Sequence, residues 1–305
     1  MGFSVTILGT NAAIPCHGRN QTSQVVALDN SYFLVDCGEG TQIQLRKFKI
    51  RFSKIDNIFI SHLHGDHYLG LMGLILSFQL ARRERRLTVF GPRGLDEIIT
   101  VQLRHSNLKL NFPVDFVQTR TDGKNFLLED KQLKVYSFPL KHRVPCTGFT
   151  FEEKPRLRNL VKEKVQQSKL SIEAINALRE GKDFLDEQGR VKYPVDEYTH
   201  PPAPLRKYAY CSDTVFDETI IPYIQESNLL YHEATFMNIH QTRASETGHS
   251  TAAQAAILAR SSGARQLLLG HFSSRYTDLG PLLGEAREVF PESFLSEEGK
   301  TFWIE

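Results

Sequence analysis

The chain opens with short apolar runs broken by turn residues. Residues 3–8, 23–28 and 31–36 are rich in Val, Ile, Phe and Tyr and predict three strands, with Asp29-Asn30 as the hairpin turn between the second and third. A helical spacing over about 39–50 sets Ile43, Leu45 and Phe48 among polar residues. Residues 55–61 predict a fourth strand that runs straight into a histidine cluster, and an apolar helix follows over about 68–80. Strands at 87–91, 114–118 and 133–138 and a helix at 94–105 come next. Further on, strands are predicted at 208–212, 228–231, 266–269 and 301–304, with helices at 250–262 and 279–289. Strands thus pair as hairpins first and alternate with helices later. A doubly wound parallel sheet would alternate throughout, so the pattern predicts a mixed α/β chain of two packed sheets with helices outside.

Residues 152–206 break this pattern. They are charged, poor in apolar runs, end in Pro-Pro-Ala-Pro, and hold one helical stretch near 171–180. The expectation is one domain over 1–305 with an insertion projecting at about 152–206. With 305 residues the chain has length for a sizeable core. Lys plus Arg number 37 against 35 Asp plus Glu, so the overall balance does not announce a nucleic-acid binder and any basic surface must be local. No run of about 18 uncharged apolar residues occurs, and no membrane span is expected. Cys16, Cys37, Cys146 and Cys211 are widely spaced, with no Cys-x-x-Cys pair and no signal peptide. A reduced, cytoplasmic protein is expected.

The chemistry concentrates in His62-Leu63-His64-Gly65-Asp66-His67. Neutral imidazole and carboxylate suit divalent metals, zinc above all. In extended backbone His62 and His64 point to the same side, and a turn at Gly65 swings Asp66 and His67 toward a second ion. Four such ligands in one loop exceed what a single catalytic zinc takes, so a dinuclear site is the natural reading. It needs partners from elsewhere. His142, Asp213 and His271 each follow a predicted strand and are the candidates.

The order His-x-His-x-Asp-His, His, Asp, His resembles the metallo-β-lactamase fold over nearly the whole chain. Leu8-Gly9-Thr10, Asp36-Cys37-Gly38-Glu39-Gly40, His232-Glu233-Ala234-Thr235-Phe236, His249-Ser250-Thr251 and His271-Phe272-Ser273-Ser274-Arg275-Tyr276 narrow it to a resemblance to the ribonuclease Z family. The resemblance implies a four-layered αβ/βα sandwich of two mixed sheets with outer helices. It implies a zinc-dependent endoribonuclease that removes the 3′ trailer of tRNA precursors and leaves a 3′-hydroxyl on the tRNA. It further implies two Zn2+ per subunit, with Mn2+ or Fe2+ as substitutes: one held by His62, His64 and His142, the other by Asp66, His67 and His271, with Asp213 bridging. A hydroxide held between them attacks the phosphodiester, oriented by Asp66. His249 is the candidate acid for the leaving 3′-oxygen, with Glu233 fixing its tautomer; Ser250 or Thr251 alternatively caps the following helix. A homodimer follows by the same resemblance.

Substrate contacts are expected from Arg275 and Tyr276, from Asn20 in an early loop, and from the basic stretch 154–170, which includes Arg158. That stretch holds six cations against the single Glu163. The insertion lacks the Gly-Pro tip common in the family, which leaves open how a tRNA body is held. The alternative reading is a phosphodiesterase acting on small or cyclic nucleotide phosphodiesters with the same site. The presence of every expected ligand argues against a decayed, non-catalytic member.

Overall fold

The computed structural model describes residues 2–305. It divides into two compact units, one running up to Glu152 and resuming at Arg206–Glu305, the other Glu153–Leu205. The first unit begins with β1 (Phe3–Gly9), β2 (Ser23–Leu28), β3 (Ser31–Cys37), β4 (Ile55–Phe59), β5 (Leu87–Gly91) and β6 (Val114–Gln118), followed by β7 (Asn125–Glu129), β8 (Leu133–Leu140) and β9 (Cys146–Glu153). The second unit holds β10 (Asn159–Leu160), β11 (Phe184–Leu185), β12 (Val191–Tyr193) and β13 (Thr199–His200), paired as β10–β13 and β11–β12, with helices Lys162–Ser168 and Ile172–Arg179. The chain then returns through β14 (Lys207–Cys211), β15 (Leu229–Glu233), β16 (Leu267–Gly270), β17 (Ser293–Leu295) and β18 (Thr301–Trp303).

Two seven-stranded sheets result, in the orders β18-β1-β2-β3-β4-β5-β6 and β17-β16-β15-β14-β9-β8-β7. Both are mixed. In the first, β1–β2 and β2–β3 are antiparallel hairpin pairs and β3–β4–β5–β6 run parallel. In the second, β7–β8 and β9–β14 are antiparallel and β14–β15–β16–β17 parallel. The inner faces bury Phe3, Val26, Phe33 and Phe59 of the first sheet against Phe149, Phe151, Tyr208 and Tyr231 of the second. On the outer face of one sheet, helices Gly70–Leu80 and Leu95–His105 seat Leu74, Ile75, Phe78 and Ile99. On the other, helices Ala252–Ser261 and Gly280–Val289 seat Ala255, Ala256, Leu258 and Leu282. Helix, sheet, sheet and helix are therefore the four layers, as the resemblance implied.

The predicted elements lie close to the observed ones, with instructive departures. The early helix is shorter than the 39–50 spacing allowed, running Thr41–Lys47. β9 lacked a clear signal because Gly148 interrupts its apolar pattern. The glycine is needed there: a Cβ would lie 2.3 Å from the Phe138 ring and 2.7 Å from the Tyr210 carbonyl oxygen. The four cysteines are unpaired among the described residues. No helix of the described residues is long and apolar enough to cross a membrane.

Candidate metal centre

Each side chain of the site leaves the carboxyl end of a strand. β4 leads into Ser61 and His62, and a helical turn over Gly65–Tyr68 carries Asp66 and His67 back toward them. From the other sheet, β8 delivers His142, β14 Asp213, β15 Glu233 and β16 His271. His271 and Asp36 hold left-handed backbone at φ 58 and 53, and such strain persists only where the surroundings over-determine it.

The donors converge in two sets. His62 Nε2 and His142 Nε2 each lie 3.1 Å from His64 Nδ1, and 3.5 and 3.7 Å from Asp213 Oδ2. In the second set His67 Nε2, His271 Nε2 and Asp66 Oδ2 are 3.3–3.5 Å apart, and Asp213 Oδ1 lies 3.3 and 3.2 Å from the two imidazoles. Four donors placed tetrahedrally about an ion at 2.0–2.1 Å stand about 3.3–3.4 Å from one another. The observed spacings match that edge. Asp213 Oδ1 is buried and accepts no hydrogen bond among the described residues, an orphan that a cation would satisfy. The residues fit a divalent metal, and the seven predicted ligands are brought together.

Burial lowers His62 to about 4, with the charge of His67 adding to the effect, and burial also lowers His64 and His142. Their nitrogens are thus free to ligate at neutral pH. Burial opposes ionisation of Asp66 and Asp213, yet the surrounding histidines hold both carboxyls well below the usual range. Burial likewise opposes a charge on His67, but Asp213, Asp66 and Asp36 raise it well above its ordinary value.

A further row of residues fixes which nitrogen of each ring faces the centre. His67 Nδ1–H donates to Asp36 Oδ2 at 2.8 Å, His142 Nδ1–H to the Gly248 carbonyl at 2.7 Å, and His271 Nδ1–H to Thr235 Oγ1 at 2.9 Å. The Thr235 hydroxyl in turn donates to Glu233 Oε2 at 2.6 Å. These contacts leave Nε2 with its lone pair toward the metal. Asp36 and Thr235 stand in stretches that matched the family, yet spacing alone gave them no role. Their only signal was a carboxylate at the end of one strand and a hydroxyl two residues beyond Glu233.

Beside the donors, His249 Nδ1–H donates to Glu233 Oε1 at 2.9 Å. His249 Nδ1 also lies 4.0 Å from Asp213 Oδ2, but its bond to Glu233 withdraws it from ligation. Glu233 is fully buried and accepts also from Thr214 N–H and Thr235 N–H, each at 3.0 Å. Burial disfavours a charged His249, but the Glu233 carboxylate outweighs it and lifts the imidazole to about 9. The helix cap is a separate device: Thr251 and Gln254 form a capping box and Ser250 Oγ–H donates to the Thr214 carbonyl.

The expected substrate contacts fare differently. Arg275 is exposed beside His271, and Tyr276 is half-buried with its hydroxyl accepting from Met237 N–H at 3.1 Å. Asn20 is tied to Glu298 through its backbone N–H and its carboxamide, at 2.5 and 2.7 Å. Arg158 is held within the second unit. Its guanidinium donates to Thr199 Oγ1 at 2.6 Å and pairs with Asp196 at 2.7 Å inside the second unit. That unit carries ten cations and nine carboxylates, so the basic run at its start is largely balanced further along.

A family model described as "Anti-Pycsar protein Apyc1" matches residues 3–154. Ribonuclease Z of Bacteroides thetaiotaomicron is 43% identical over 302 residues, covering 99% of this chain and 95% of that protein. Among solved structures, human tRNase Z, short form, aligns with a TM-score of 0.72 at 28% identity over 99% of both chains. YhfI from Bacillus subtilis, a metallo-β-lactamase fold protein, aligns with a TM-score of 0.69 at 17% identity over 99% of this chain and 100% of that one, a likeness of fold alone.

Proposed function

Because the chain belongs to the ribonuclease Z family and is a metal-dependent endoribonuclease, we propose that it cuts precursor tRNA at the start of the 3′ trailer and leaves a 3′-hydroxyl on the tRNA. The observation that carries this reading is the pair of donor sets sharing Asp213, with His249 and Glu233 beside them. His62, His64, His142 and Asp213 Oδ2 would hold one zinc ion, and Asp66, His67, His271 and Asp213 Oδ1 a second; Mn2+ or Fe2+ suits the same donors. Two cations there acidify a water and offset the charge that builds on the phosphate.

The chain's own groups do the rest. Asp66, whose Oδ2 is fixed by Ala13 N–H at 2.7 Å, orients the attacking water by accepting its hydrogen bond. The water oxygen bonds to phosphorus as the bond from phosphorus to the ribose 3′-oxygen breaks, and the phosphate stays on the trailer. His249 gives its Nε2 proton to that 3′-oxygen, while Glu233 keeps Nδ1–H occupied and the ring charged near neutral pH. Arg275 and Tyr276 contact the RNA next to the cleaved bond. On the family resemblance we include a homodimer and a cytoplasmic location in this reading, and sedimentation velocity of the full chain tests the first.

The direct test is cleavage of a precursor tRNA bearing a 3′ trailer, with His64→Ala as control and bis(p-nitrophenyl) phosphate in parallel. A cut after the discriminator nucleotide, lost in the variant, is the expected result. Metal-dependent hydrolysis of the small diester with intact tRNA would instead move the function to a small phosphodiester.

A further inference from the structure

A cavity of about 510 Å³ opens beside the metal centre, and none of the groups assigned above lines it. Its walls include Leu63, Pro92, Arg93, Thr119, Val144 and Pro145. The volume falls within the roughly 300–1,000 Å³ of small-ligand sites. Leu63 stands between His62 and His64, and Val144-Pro145 follow His142 by two residues. The two ligand loops are joined at this place, because Thr147 N–H donates to the Ser61 carbonyl at 3.1 Å. The third wall is the Gly91-Pro92-Arg93-Gly94 turn, anchored by Thr119 N–H donating to the Gly91 carbonyl at 2.7 Å.

Two polar features point to a ligand. Arg93 is exposed and makes no ion pair or hydrogen bond among the described residues, whereas Arg120, the other guanidinium bordering the cavity, pairs with Asp122. Thr119 is only 5% exposed, yet its hydroxyl has no partner among the described residues, a cost that folding alone does not explain. The surface of the space is mostly apolar, although Gln118, Arg120, Thr121, Asp122 and Thr147 also border it, and no aromatic ring lines it. A mostly apolar slot with an unpaired hydroxyl buried in its wall and a free guanidinium beside it fits a nucleotide: base inside, phosphate outside.

We propose that this cavity seats the first nucleotide of the 3′ trailer, with Arg93 on the phosphate that follows it. The inference rests on the reading above and adds to it the path of the leaving strand. His249 protonates the 3′-oxygen, which belongs to the tRNA body, so that body lies on the side of His249, where Phe236, Tyr276 and His271 gather. None of those residues borders the cavity. The strand beyond the phosphate leaves along the loop of His62 and His64 and the Pro92-Arg93 turn, which border the cavity.

The test compares wild type with Arg93→Ala and Arg93→Lys on precursor tRNAs whose trailers differ in length. For trailers of two nucleotides or more, Arg93→Ala is expected to lower kcat/KM about fivefold, the scale of one solvent-accessible ionic contact. Loss of one single-strand phosphate contact should also flatten the slope of log kcat/KM against log salt by about 0.7. Arg93→Lys should restore much of both. A one-nucleotide trailer ending in a 3′-hydroxyl, and bis(p-nitrophenyl) phosphate, should be cut equally by all three proteins. In parallel, 4-thiouridine at the first trailer position, bound to His64→Ala to prevent turnover, should crosslink to the peptides carrying Arg93 or Val144-Pro145. Equal rates and equal salt slopes for every trailer, or crosslinks confined to the 235–276 region, would overturn the cavity assignment and leave the tRNA reading standing. Failure of wild type to cut any precursor while hydrolysing the small diester would overturn the function itself.

Discussion

Replacing Asp36 by Asn preserves the shape of the side chain and reverses what one end of it can do. One carboxylate oxygen accepts from Ser61 N–H at 2.7 Å; the other accepts from Ser61 Oγ–H at 2.9 Å, His67 Nδ1–H at 2.8 Å and Tyr210 O–H at 2.5 Å. All of this is buried. An Asn that keeps its carbonyl on Ser61 N–H presents an NH2 group to three donors. His67 can answer only by moving its proton from Nδ1 to Nε2, the atom that faces Asp66, Asp213 and His271. The lone pair on the metal side is then lost. Removing such an orienting partner costs roughly 10–100-fold in metal affinity, or about 1.4–2.7 kcal/mol. Tyr210 also loses its acceptor, and an unpaired buried hydroxyl costs about 1–3 kcal/mol of stability. The assay is a zinc titration of chelator-treated protein by competition calorimetry, with cleavage followed at buffered free zinc. Cleavage at limiting zinc should fall with affinity and recover in part at excess zinc. A melt recorded at saturating zinc separates loss of folding from loss of binding. A folded Asp36→Asn protein with wild-type zinc affinity and the wild-type zinc dependence of cleavage would refute the assignment.

Other perturbations test the remaining contacts. Glu233 raises the pKa of His249, so Glu233→Gln should lower it and move the alkaline limb of the kcat profile toward acid; nearby cations repel the imidazolium, making about 9 the ceiling for the wild-type limb. A limb that stays in place would count against His249 as the acid. Thr235→Val should unhook His271 Nδ1 while keeping the bond between His249 and Glu233, lowering zinc affinity roughly tenfold without moving that limb. Dialysis against a chelator should abolish cleavage and lower Tm, with both restored by Zn2+ or Mn2+; full activity in metal-free protein would exclude the assigned ligands. Gly248→Ala should cost about 1–2 kcal/mol through its φ of +82°, and its Cβ, 2.8 Å from His142 Nδ1, should displace that ring and reduce cleavage more than tenfold. Unchanged kinetics would show that the ring has room.

What could be read from the sequence followed from distance along the chain. His62, His64, Asp66 and His67 lie within one strand end and one helical turn, so their shared direction follows from local geometry. His142, Asp213 and His271 come from the other sheet; order and resemblance pointed to them, whereas spacing alone could not. Asp36 shows the limit. It meets His67 because β3 lies next to β4, and it meets Tyr210 because the two sheets stack there. Nothing near Asp36 in the sequence announces either contact. The pairing of the basic stretch was out of sight for the same reason, since the carboxylates that meet Arg158 and Lys164 are Asp196 and Glu197, more than thirty positions later. Gly148 hid β9 for a third reason: the close approach of Phe138 demands a residue that weakens the strand pattern.

Glu233 links the two halves of the site. Its Oε1 accepts from His249, the proposed proton donor, and its Oε2 from Thr235, which orients His271, a proposed metal ligand. A carboxylate so placed could not be exchanged for a neutral group without disturbing both ends, and it is buried with each oxygen accepting two bonds. Burial opposes its ionisation, but the charge of His249 and the hydrogen bond from it outweigh burial and hold Glu233 below its ordinary value while it lifts His249. The charge that raises His249 is therefore the same charge that, through one hydroxyl, orients His271. In the proposed reaction the acid and the second donor set act on the same phosphate, and the step from Glu233 to Thr235 would position both from the end of one strand.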